Sequence, residues 1–161
     1  MEHLWTPWRS IYVSKKPERD FCVFCDALAS SNDEQNLLLY RATYNFVILN
    51  RFPYSSGHVM IAPNVHVSRL TAIDAAAAEE MMHLARMCET ILEDVYRPHG
   101  INLGMNMGEA AGAGIAAHIH LHILPRWTGD ANFMTTVGHT RVIPESLEDT
   151  FIKLRGRFGA G

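Results

Sequence analysis

Histidine alternates with an apolar residue in His118-Ile119-His120-Leu121-His122, and Ile123-Leu124-Pro125-Arg126-Trp127 follows. Period-two alternation belongs to a β-strand, where alternate side chains share a face. Three imidazoles would then line one side at intervals of about 6–7 Å, while Ile119, Leu121 and Ile123 bury the other. Pro125 ends the strand pattern. A solvent-facing strand rich in histidine is the plain alternative. If the imidazoles are instead buried, each needs a polar partner, and each offers a nucleophile, a proton carrier, a donor or a metal ligand near neutral pH. A Gly/Ala loop, Gly112-Ala113-Gly114-Ile115-Ala116-Ala117, runs straight into this stretch. Glycine there allows close approach of backbone to a ligand.

With 161 residues, one domain that buries a real core is expected. A hydrophobic fraction of 48% and a charged fraction of 19% fit a soluble globular protein. The formal net charge of −3 gives no global field that would draw in polyanions. A phosphate ligand would have to be held locally, and neither a basic patch nor a nucleic-acid module is visible. No apolar run reaches the roughly 18 residues of a membrane span. The N-terminus lacks the apolar stretch of a signal peptide, so a cytoplasmic location is expected.

Residues 1–20 read as an irregular extension broken by Pro7 and Pro17, and residues 22–30 as a short helix. Strand-like runs occupy 36–41, 45–50, 57–63, 101–107 and 117–124. Thr71-Ala72-Ile73-Asp74 resembles a capping box and opens a helix over 71–96, with Ala77, Met81, Leu84, Ala85, Cys88, Ile91, Leu92 and Val95 at helical spacing. Pro98 and Gly100 stop it. Pro144 begins a last amphipathic helix to about Arg157. The expected architecture is α+β: a mostly antiparallel five-stranded sheet, one long helix and a short C-terminal helix. It is a single domain over 1–161, with the Cys pair and first strands in 22–66, a strand and the histidines in 101–127, and the last helix in 144–157.

Cys22-Val23-Phe24-Cys25 has chelating spacing but supplies only half a metal site. A structural zinc, a redox pair and two core cysteines are all compatible with it, although the strand-to-helix setting of a redox motif is missing. Cys88 reads as a small core residue.

The histidine run, together with Asn50-Arg51-Phe52-Pro53-Tyr54-Ser55-Ser56-Gly57-His58 and Asn102-Leu103-Gly104-Met105-Asn106-Met107-Gly108, resembles the histidine-triad (HIT) nucleotide-binding proteins over nearly the whole chain. Pro125-Arg126-Trp127-Thr128-Gly129-Asp130-Ala131-Asn132-Phe133 and Leu4-Trp5-Thr6-Pro7-Trp8-Arg9 resemble the branch that holds dinucleoside polyphosphate hydrolases and phosphorylases. The resemblance implies the HIT fold and a homodimer that joins two sheets. It implies a covalent nucleotidyl-imidazole on His120, phosphate contact from His122, and support from His58. Asn50 would hold the ribose, and Asn106 and Gly108 would lie near the scissile phosphate. Zinc-bearing members complete a Cys pair with two histidines, which here would be His66 and His118. Zinc would then be structural, bound by Cys22, Cys25, His66 and His118. His3, His83, His99 and His139 match no such pattern. Many members place Gln or Ser three or four residues before the first triad histidine. Gly114 and Ile115 stand there in this chain, so backbone N–H groups around Gly112 and Gly114 are expected to hold phosphates instead. The activity implied is cleavage of a dinucleoside polyphosphate such as diadenosine tetraphosphate. Hydrolysis of nucleoside phosphoramidates or adenylylated molecules, and nucleotide binding with little turnover, are the alternatives.

Overall fold

Five strands pair antiparallel throughout one sheet, in the order 38–41, 45–49, 59–63, 121–126 and 100–105. The structure is a computed structural model and describes residues 22–138 and 143–159. The expected extension over 1–20, with its Leu4–Arg9 motif and His3, and also His139, lie outside those residues. The strands are β1 Leu38–Arg41, β2 Asn45–Leu49, β3 Val59–Pro63, β4 Gly100–Met105 and β5 Leu121–Arg126; the helices are α1 Val23–Ala29, α2 Ala75–Tyr96, α3 Phe133–Thr136 and α4 Leu147–Arg155. This is the α+β arrangement expected from the sequence. Among the described residues, no helix is long and apolar enough to cross a membrane.

The sheet is covered on both faces, which explains why β2 and β3 are buried at every position. On one face lies α2, whose Ala77, Met81, Leu84, Ala85, Cys88, Ile91 and Leu92 pack with Val47, Leu49, Val59, Ile61, Ile119, Leu121 and Ile123. The helical spacing of those residues in the sequence is the spacing of this stripe. On the other face, Phe24 and Ala27 of α1 pack with Leu38, Phe46, Ile48, Met60 and Ala62. Glu80 of α2 pins the β1–β2 turn. Its carboxylate accepts from the Thr43 N–H at 3.0 Å, the Tyr44 N–H at 2.8 Å and Asn45 Nδ2 at 2.8 Å. Burial raises the Glu80 pKa, but these donors outweigh it and the net shift is downward.

Several expected boundaries move. The long helix begins at Ala75 and not at Thr71, because Ile73 is extended and buried. Leu70–Ala72 instead makes a 3-10 turn, and the expected Thr71–Asp74 capping box is not formed. The first strand starts at Leu38, since Leu37 takes a left-handed conformation, φ 61°. The C-terminal helix starts at Leu147, capped by Ser146 Oγ, which accepts from the Asp149 N–H at 3.0 Å. The strand expected over 117–124 is β5 over Leu121–Arg126, and it runs through Pro125. β3 pairs with β5 only at Leu121, His122 and Ile123, so among the described residues Pro125 has a strand neighbour on one side alone, Ile101 of β4.

Candidate active site and thiol–imidazole cluster

His118 and His120 precede β5, yet the alternation persists. Ile119 is buried in the α2-side core, while His118, His120 and His122 fall on the α1 face. The ladder is lost because the chain after β3 diverges. The Ile119 N–H donates to the Val67 carbonyl at 2.7 Å, beyond the end of β3. All three imidazoles are buried, so the solvent-facing alternative does not hold.

Backbone carbonyls set the protonation of two rings. A carbonyl can only accept. The His118 carbonyl lies 2.9 Å from His120 Nδ1, so Nδ1 carries the hydrogen and Nε2 keeps its lone pair. His120 is 4% exposed, and burial lowers its pKa, against the opposing pull of that carbonyl. The Pro63 carbonyl lies 2.9 Å from His118 Nε2 and fixes the hydrogen there, leaving His118 Nδ1 as the acceptor nitrogen. Burial lowers this pKa as well.

A second chain of bonds orients His122. The Tyr54 N–H, an obligate donor, points at His58 Nδ1 from 3.1 Å. Neutral His58 therefore carries its hydrogen on Nε2, which faces His122 Nδ1 at 2.9 Å. His122 Nδ1 must accept, so His122 Nε2 bears the hydrogen. The site thus pairs a ring with a basic Nε2 and a ring with a donor Nε2–H, with centroids 4.7 Å apart and planes at 70°. Asn50 sits beside them: its Oδ1 accepts from the Phe52 N–H at 2.9 Å, which turns Nδ2 toward His58 Nδ1 at 3.3 Å.

β4 brings the remaining polar candidates to the same place. Gly104 pairs with His122 and Met105 with Leu121, so half-buried Asn106 leaves β4 at the end of the sheet where His120 enters β5. Gly108 and Gly112 have φ of 87° and 84°, and a Cβ at either would meet nothing within 4 Å. The Gly112 N–H is turned inward to the Glu109 carbonyl at 2.9 Å, where it closes a 3-10 turn. Gly114 is exposed between that turn and the histidines.

The other four candidates converge on one point. One donor atom from each of Cys22, Cys25, His66 and His118 lies within 4.8 Å of all the others. His118 Nδ1 is 3.4 Å from Cys22 Sγ and 3.7 Å from Cys25 Sγ, and His66 Nδ1 is 3.2 Å from Cys25 Sγ. Burial and the adjacent Cys22 push the Cys25 thiol up to about 11, and a bound cation would reverse that. Cys22 also packs against the Phe24 core cluster, and the four converging donors could hold a metal ion. Of the remaining histidines, His83 is exposed on α2, and His99 Nδ1 accepts from the Thr128 N–H at 2.9 Å.

Three contributors have no signature in the sequence. Phe24, between the two cysteines, packs 5.2 Å from His118 and 4.9 Å from His120. Tyr54 supplies the backbone N–H that sets His58, and its ring lies 4.8 Å from that imidazole. Pro63 supplies a carbonyl that any residue could supply. The Pro-Arg-Trp segment, by contrast, is held by a recognisable pair: Arg126 Nε and Nη2 bond both oxygens of Asp130 at 2.6 and 2.9 Å, and Nη1 bonds Asn102 Oδ1 at 2.8 Å. Arg126 holds the Asp130 carboxyl down at about 2.

The HIT domain model matches residues 31–129. An AP-4-A phosphorylase of Mycobacterium tuberculosis is 36% identical over 157 residues, 93% of this chain and 80% of that protein. A bis(5'-nucleosyl)-tetraphosphatase [asymmetrical] of Schizosaccharomyces pombe is 28% identical over 58% of this chain and 50% of its own length. Among solved structures, that of a Zn-bound histidine triad family protein from Mycobacterium smegmatis superposes with a TM-score of 0.67 at 25% identity, covering 86% of this chain and 93% of that one.

Proposed function

Because this chain belongs to the HIT-domain family, we propose that it cleaves dinucleoside polyphosphates, diadenosine tetraphosphate among them, through a nucleotidyl-imidazole on His120. The observation that carries the reading is the 2.9 Å bond from His120 Nδ1–H to the His118 carbonyl. It presents an unprotonated Nε2, and burial holds the ring neutral. Nε2 attacks the α-phosphorus and the bond to the bridging oxygen breaks, so ATP leaves. The new positive charge rests on the ring whose Nδ1–H the carbonyl already accepts. His122 Nε2–H donates to a phosphate oxygen where charge develops, with His58 fixing that ring. A second acceptor then attacks phosphorus and frees His120. The M. tuberculosis relative's name and coverage favour inorganic phosphate as that acceptor, giving ADP. Asn50 and Asn106, on either side of the histidines, hold the ribose and the scissile phosphate. Gly108 and Gly114 offer the phosphates backbone donors; Gly112 keeps the turn that positions them.

Incubation of diadenosine tetraphosphate with and without phosphate tests this. ADP and ATP are expected, dependent on phosphate; AMP and ATP without it would mean water is the acceptor, and no cleavage at all would refute the reading. His120→Asn should lower kcat by at least about a thousandfold, and His122→Ala by about 10²–10³.

The cluster suits zinc. Ligands about 2.0–2.3 Å from one tetrahedral ion stand roughly 3.3–3.8 Å apart; three of the donor pairs stand 3.2–3.7 Å apart, and all four donors lie within 4.8 Å of one another. Cys22, Cys25, His66 and His118 would hold it, with the Pro63 carbonyl orienting His118. Four protein ligands leave no open position, so the ion is structural. Thiolate ligation agrees with a cytoplasmic, reducing location. Metal analysis should find about one zinc per chain. Cys25→Ser should lower Tm by roughly 5–10 °C, on a scale of 2–4 °C per kcal/mol, with a smaller effect on kcat. Metal-free protein with unchanged Tm would contradict this.

A homodimer is favoured by β4. It is one edge of the sheet, unpaired on its outer side among the described residues, and Leu103 is 46% exposed. Sedimentation should give twice 18.1 kDa, and Leu103→Lys should shift the population toward single chains. A single-chain mass for the unsubstituted protein would exclude it.

A further inference from the structure

A cavity of about 620 Å³ lies beside the histidines, between the Tyr54–Ser56 turn, the C-terminal end of β5 and α4. That size is typical of small-molecule sites. It shares a wall with the triad: the Tyr54 ring stacks at 26° and 6.2 Å on His122 and also lines the cavity. Leu124, the next residue after His122 on the same face, forms part of its floor. Leu124 lies about 13 Å along the chain from His120, within reach of a ligand that continues from the reacting phosphorus through further phosphates.

Its charges argue against a phosphate occupant. Arg126 is engaged by both oxygens of Asp130 and by Asn102. Lys153 is paired with Glu145, which also accepts from the Tyr96 hydroxyl at 2.6 Å. What remains is aromatic and hydrogen-bonding. Tyr96 and Trp127 meet edge to face at 6.3 Å. The Ser55 and Ser56 hydroxyls are buried without a partner among the described residues, and both residues line the cavity. Serine hydroxyls rotate freely, and a turn of either toward the cavity would give its wall a hydrogen-bonding edge for a ligand with polar edges. A neutral, flat heteroaromatic group attached to a sugar fits these walls; an anion does not.

We propose that this cavity binds the base and ribose of the departing nucleotide, and so makes the site selective for substrates with a nucleoside at both ends. This rests on the reading of His120 as the nucleophile toward dinucleoside polyphosphates. Neither the triad nor the Asn50 side supplies this second contact.

Dissociation constants test it, measured by calorimetry on full-length His120→Asn, which prevents turnover. Adenosine 5'-tetraphosphate lacks the second adenosine of diadenosine tetraphosphate and ends in a free phosphate instead. The dinucleotide should bind at least tenfold more tightly. Thr135→Trp, which fills the cavity, and Trp127→Ala, which removes a wall, should each erase most of that advantage. Affinity for adenosine 5'-tetraphosphate should stay within about threefold. Thermal melts show whether each variant is folded, and because the two act by opposite steric routes, either folded variant decides the question. Equal loss for both ligands, an advantage that survives in a folded variant, or no advantage at the outset would each overturn the proposal. Failure of the unsubstituted protein to cleave diadenosine tetraphosphate would instead refute the underlying activity, and the two failures are read from separate assays.

Discussion

The hydrogen bond between His120 Nδ1–H and the His118 carbonyl is the constraint on which the site's chemistry turns. A buried imidazole has one donor and one acceptor nitrogen, and leaving the donor unpaired would cost about 1–3 kcal/mol. The carbonyl removes that cost in only one tautomer, so the nitrogen left basic is set by backbone geometry and not by chance. The same geometry explains why His120 must lie two residues from a residue that is itself fixed. His118 is held by the Pro63 carbonyl through Nε2 and by the thiols through Nδ1. Its main chain cannot move without disturbing those contacts. The thiol–imidazole cluster and the His120 ring are therefore coupled through one residue.

Polarity is divided between the two halves of the site. His120 has its proton facing backbone and its lone pair available. His122 has the reverse, because the Tyr54 N–H sets His58 and His58 sets His122. Two identical side chains on one face of one segment thus acquire opposite roles from different neighbours. Burial of His120 supports this by disfavouring the imidazolium, whose charge is poorly solvated among Phe24 and the other rings.

Much of this was legible in the chain. Alternation locates the histidines and their apolar backing, helical spacing locates the buried face of α2, and the resemblance to HIT proteins links Cys22, Cys25, His66 and His118. The structure brings those four donor atoms together. What was not legible depends on backbone. The Val67 carbonyl takes the Ile119 N–H and ends the ladder early, so β5 starts at Leu121, and no side chain announces it. Pro125 looked like a terminator because a sequence does not show on which side a strand lacks a neighbour. Thr71 looked like a helix cap because the pull of Ile73 into the core is a tertiary effect. The inward-facing Gly112 N–H could not be told from an outward one. Phe24 and Tyr54 are ordinary aromatics until their distances to the rings are seen.

The assignment of tautomers is open to direct measurement. In protein labelled with 15N at histidine, two-bond 1H–15N correlation spectra at neutral pH distinguish Nδ1–H from Nε2–H rings. The account predicts Nδ1–H for His120 and Nε2–H for both His58 and His122, with each resonance identified by its His→Gln substitution. A neutral His120 carrying its hydrogen on Nε2 would contradict the account, since the nitrogen required to attack would then be protonated before substrate arrives.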